Sequence, residues 1–137
     1  MCTKLSVVVL LTVAVIFSAC ESNHMFKSEK KIKSDIQGTW DMIIFKTDEL
    51  DQTWIFTSDS LYLLRQESLG SSNYDTVDVV DYKIDVTVSA PYVIVDGIEL
   101  DPEYNKKWTI TQLDTKVLAI ACDYKNGGVL QKEFVKR

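Results

Sequence analysis

Between residues 38 and 136, apolar side chains recur at every second position in short runs, and that period of two excludes most folds. Val80, Tyr82, Ile84 and Val86 alternate with Asp81, Lys83 and Asp85, the pattern of a strand with one face in a core and one in water. A helix would repeat its apolar residues every three to four positions instead. Further short apolar runs, some alternating and some unbroken, stand at 40–45, 54–56, 61–64, 92–95, 107–110, 117–122 and 129–135. They are rich in the β-branched and aromatic residues that pleated surfaces accommodate. Turn chemistry separates them: Thr57-Ser58-Asp59-Ser60, the stretch 69–73, Ala90-Pro91, the tight-turn pair Asp96-Gly97, the stretch 112–116 and Asn126-Gly127-Gly128. Eight strands and no helix are expected. That count suits an all-β, antiparallel up-and-down barrel or a closely related sandwich, and closure removes exposed strand edges.

The first twenty residues differ in kind. Lys4 precedes the apolar run 5–17, and Ser18-Ala19 lead to Cys20. A positive start, a short apolar stretch and small residues before a cut site describe a secretory signal peptide. As a helix the run spans about 20 Å, short of a hydrocarbon core of about 30 Å, so it is not expected to cross a membrane. Ser18-Ala19-Cys20 resembles the lipobox of bacterial lipoprotein signals, with Phe17 where that family usually carries Leu. The resemblance implies that residues 1–19 are removed and that Cys20 takes lipid, palmitate included. Thiolate nucleophilicity explains why a cysteine is needed there. The resemblance implies the bacterial cell envelope as the place, and because enterobacterial lipoproteins retained at the inner membrane carry Asp after the cysteine, Glu21 there implies the outer membrane. Residues 20–35 then form the lipidated cysteine and a flexible tether, whose Lys27, Lys30, Lys31 and Lys33 read as a solvated spacer, with contact to lipid headgroups as the alternative. Residues 36–137 form the folded domain.

Chemistry is scarce along this chain. With Cys2 removed and Cys20 acylated, Cys122 has no disulfide partner. The formal net charge of −5 argues against nucleic acid and against an electrostatic grip on anionic lipid, since both want basic patches. His24 is the only histidine and lies in the tether, so no Ser-His-Asp set can be built in the domain. Zinc needs several Cys or His ligands, and the acidic stretch 75–85 lacks the spacing of a calcium loop. No enzyme activity, metal or cofactor is expected, a carboxylate-based hydrolase being the one enzymatic alternative that the missing domain histidine leaves open.

Gly38-Thr39-Trp40 resembles the G-x-W that opens the first strand of lipocalins. The stretches 38–45, 54–64, 81–86, 108–113 and 129–136 resemble the strands of small lipocalin-like lipoproteins of Gram-negative envelopes, covering roughly 36–137. That likeness implies a barrel binding a small apolar ligand. Trp40, Trp54, Tyr62, Tyr82, Tyr92 and Trp108, all at strand positions, are the candidate interior residues. It also implies a cation packed across the first tryptophan at the closed end, with Lys132 and Lys136 as candidates. Eight-stranded barrels are just wide enough to be filled by side chains or to hold one small ligand. The alternative is therefore a filled core in an envelope protein-interaction module, an accessory or inhibitory subunit.

Overall fold

The computed structural model describes residues 27–46, 48–99, 101–124 and 126–137. The signal peptide over 1–19, Cys20 and the tether residues to 26, His24 among them, lie outside the described residues. All eight expected strands are present: β1 Gly38–Met42, β2 Gln52–Phe56, β3 Ser60–Gln66, β4 Tyr74–Val86, β5 Pro91–Val95, β6 Lys107–Leu113, β7 Val117–Asp123 and β8 Val129–Lys136. Each pairs antiparallel with the next and β1 returns to β8, so the sheet closes into an up-and-down barrel.

Alternation sets the two faces. Trp40 and Met42, Trp54 and Phe56, Leu61 and Leu63, and Val93 and Val95 point inward and are buried. Asp41, Tyr62, Asp81 and Lys83 point outward between such neighbours. An apolar inside with a charged outside is the reverse of a membrane-spanning barrel, whose lipid-facing positions are apolar. Among the described residues no helix is long and apolar enough to cross a membrane. Register shifts at Leu63/Leu64 and at Ile110/Gln112 supply the bulges that bend strands into a closed shell.

One end of the barrel is built from tight turns. Thr57 N–H donates to Ser60 O, Thr87 N–H to Ala90 O and Asp114 N–H to Val117 O, at 2.9, 3.0 and 3.0 Å. Each first residue also spends its side chain on the turn: Thr57 and Thr87 hydroxyls accept from Ser60 and Ala90 N–H, and the Asp114 carboxylate from Val117 N–H. That is how the 57–60 hairpin turns without a glycine.

Across this end lies a helix that the sequence reading assigned to the flexible tether. The helix α1, Glu29–Ile36, begins at Ser28, whose hydroxyl accepts from Lys31 N–H at 3.3 Å. Ile32 and Ile36, four residues apart, are buried against the barrel. Eight residues with two apolar side chains give too little periodicity to separate a capped helix from a charged spacer. Domain structure therefore begins before residue 36.

Gly38 shows why the G-x-W glycine is needed. Its φ is +129°, and a Cβ there would stand 2.8 Å from Lys136 Cε. Without a side chain the backbone passes from α1 into β1 directly beneath that lysine.

The opposite end carries longer connections, 43–51, 67–73, 96–106 and 124–128. Asp96-Gly97 does not close a two-residue hairpin as expected. The chain runs on through a 3-10 turn, Pro102–Tyr104, before β6. Ile98 and Tyr104 from this connection are 2% and 3% exposed, which makes the loop part of the core. Asn105 holds it, its carboxamide exchanging bonds of 2.8 Å with Ile98 N–H and C=O.

Candidate functional site

Trp40, Trp54, Trp108 and Tyr82 stand inside the barrel, the three tryptophans at 0% exposure. Tyr62 and Tyr92 do not join them. Leu61 and Leu63 face inward, so Tyr62 between them projects outward, 37% exposed. Tyr92, beside inward Val93, lies on the outer wall with Lys107 Nζ 4.1 Å from its ring centroid. Strand parity, applied residue by residue, would have separated these two from the rest.

Three interior aromatics were missing from the candidate set. Phe56 and Phe134 follow the same parity as their strands, whereas Tyr104 lies on a loop where no periodicity announces it. Around Trp54 they form one cluster, with ring centroids 6.1 Å from Phe56, 5.5 Å from Tyr104 and 5.1 Å from Phe134. Tyr82 stands edge-on to Phe56 at 5.0 Å. Rings at such separations attract one another, and eight-stranded barrels are narrow enough for such side chains to occupy the interior.

The three indole N–H groups differ. Trp40 Nε1 donates to Ile36 O at 2.6 Å, fixing the last turn of α1. Trp108 Nε1 donates to Tyr104 O at 3.0 Å, fixing the 3-10 turn at the other end. Trp54 Nε1, midway, finds no acceptor among the described residues. A buried donor left unpaired costs about 1–3 kcal/mol.

Both lysine candidates stack on aromatic rings, at opposite ends. Lys136 Nζ lies 4.9 Å from the Trp40 ring and Lys132 Nζ 5.2 Å from the Tyr104 ring. Lys136 is thus the cation that the lipocalin likeness asks for at the closed end. At the open end a cleft of about 370 Å³ is lined by Met42, Ile44, Gln52, Arg65, Tyr104 and Lys132, among others. Arg65 pairs with Asp101 there, and Tyr104 Oη lies 3.2 Å from Gln52 Oε1.

Tyr82 and Cys122 are both shifted toward their neutral forms. Burial, then the Asp59 charge, pushes the Tyr82 phenol above its ordinary value, and its hydroxyl donates to Thr57 O at 2.7 Å. Burial likewise pushes the Cys122 thiol up, the opposite of what a nucleophilic cysteine needs. Among the described residues no three His, Cys, Asp or Glu side chains stand together as metal ligands. Neither a protein-family model, nor a curated protein, nor a solved structure matches the chain.

Proposed function

We propose that this chain is a lipid-anchored, non-enzymatic module of the bacterial cell envelope that acts by surface contact around a filled barrel. The observation that supports this is the interior itself. Three tryptophans at 0% exposure, with Phe56, Tyr104 and Phe134 against Trp54, occupy the space in which a ligand of this fold class would sit. Anchoring through Cys20 and sorting to the outer membrane rest on the lipobox and on Glu21. Multiple acyl chains on one residue hold a protein durably at a bilayer.

A photo-crosslinking residue placed at Glu103 or Asp48, in the full chain in its own membrane, tests the contact mode. A discrete adduct from these open-end positions, absent with the crosslinker at Thr76 on the barrel wall, is the expected outcome. Monomer alone at every position would contradict it.

A second reading draws on one observation, the unpaired Trp54 Nε1. A small apolar molecule with a single acceptor, admitted past the loop 96–106, would satisfy that donor. Organic extraction of the purified protein that releases one such molecule per chain would favour this reading.

A further inference from the structure

The lysines at the start of the domain are held on the barrel. Ile32 and Ile36 seat α1 on the closed end, which turns Lys30 and Ser34 toward solvent with Lys31 and Lys33 on the flanks. Lys31 pairs with Asp35 and Lys33 with Asp59. Lys30, and Lys116 in the adjoining turn, have no ion-pair partner among the described residues. Lys136 reaches the same corner, its Nζ 3.4 Å from Asp35 O. Between α1 and the 114–116 turn lies a cleft of about 440 Å³ where Lys27, Lys31 and Lys136 meet the hydroxyl-bearing Ser34 and Thr115, with Asp35 and Asp114 also on its wall.

The far end has the opposite sign. The loop 96–106 carries four carboxylates against one lysine, and the loop 43–51 three against one. Residues 27–36, by contrast, hold four lysines against Glu29 and Asp35, and Lys116 and Lys136 join them against Asp59 and Asp114 of the adjoining turns. The chain also enters the domain at the basic end: Lys27 follows Cys20 by seven residues, at most about 25 Å of extended chain.

We propose that the α1 end is a docking face for anionic phospholipid headgroups, so that the barrel stands with α1 against the bilayer and its acidic loops pointing away. This rests on the acyl anchor proposed above, which supplies nearness but no orientation. The charge asymmetry supplies orientation twice, because the headgroups attract one end and repel the other. Each lysine near an anionic surface strengthens binding about fivefold, and the attraction falls with salt. The unpaired Lys30 and Lys116 carry most of it, their neighbours being already partnered.

The test is amine acetylation followed by peptide mass spectrometry on the full-length acylated protein, reconstituted on phosphatidylcholine vesicles with and without phosphatidylglycerol. Anionic vesicles are expected to slow labelling of Lys30 and Lys116 at least about threefold and to leave Lys46 and Lys106 unchanged, and high salt to abolish the difference. The Lys30→Glu/Lys116→Glu variant, altered only at exposed positions, is expected to lose its preference for the anionic vesicles, read from the labelling of Lys31. Equal labelling at both ends on both vesicles overturns the proposal. The intact mass of the same preparation reports separately on Cys20. If that residue is unacylated the anchor fails, and protein mixed with the anionic vesicles still decides the docking by protection of Lys30 and Lys116 or its absence.

Discussion

The two ends of this barrel are fastened by the same bond and built in opposite ways. At each, a buried tryptophan gives its indole N–H to a carbonyl four residues upstream, Trp40 to Ile36 and Trp108 to Tyr104. At the closed end that carbonyl belongs to a capped helix laid over three short turns. At the open end it belongs to a 3-10 turn inside a long acidic loop. Regular structure with basic side chains faces one way, irregular structure with carboxylates the other. Loops held by a rigid scaffold are where binding surfaces are commonly found, so the proposed partner contact falls at the open end and the proposed membrane contact at the closed end.

The largest effects test whether both ends belong to one core. Trp40→Ala and Trp108→Ala are each expected to cost about 3–5 kcal/mol in urea unfolding, with a single transition. A Trp108→Ala loss near 1 kcal/mol would instead make the 96–106 loop a separable lid. Ile36→Ala is expected to cost about 2–5 kcal/mol against about 1 kcal/mol for Tyr104→Phe, which removes only the bond to Gln52. Comparable losses would erase the distinction between packed helix and tied loop. Gly38→Ala, forced to hold a positive φ beneath Lys136, is expected to cost about 1–3 kcal/mol, and Lys136→Ala should relieve only the contact part.

The smallest effect concerns pH. Burial raises the Asp35 carboxyl, but hydrogen bonds from Lys31 and Lys27 outweigh it and hold the group below its ordinary value. A lowered folded-state pKa gives stability that is present above the unfolded value and lost as pH falls through the folded one. Wild type should therefore lose more stability than Asp35→Asn below about pH 4, by about 1 kcal/mol or less for these partly exposed pairs. Equal acid sensitivity of the two would remove Asp35 from the fastening of α1.

The barrel was legible because its signal is dense: Val80 to Val86 alternates without a break, and eight such runs with turns between them leave few closed arrangements. Strand ends were less so. The run 40–45 leaves the sheet after Met42, since Ile43 donates one bond to Glu133 O and the chain then departs for the open end. The helix was hidden because tertiary contact, from Ile32 and Ile36, decides its fate more than local pattern does. Of the candidate site, the tryptophans were readable from apolar strand positions. Tyr104 was not, because only the closed barrel brings a loop residue next to Trp54.

Native mass spectrometry of the protein released intact from its membrane addresses the filled interior most directly. A shell packed by its own aromatic side chains and carrying the proposed acyl anchor should give the mass of the acylated chain with no small molecule retained. A stoichiometric apolar adduct that survives gentle release, and is shed when Trp54 is replaced by phenylalanine, would contradict it.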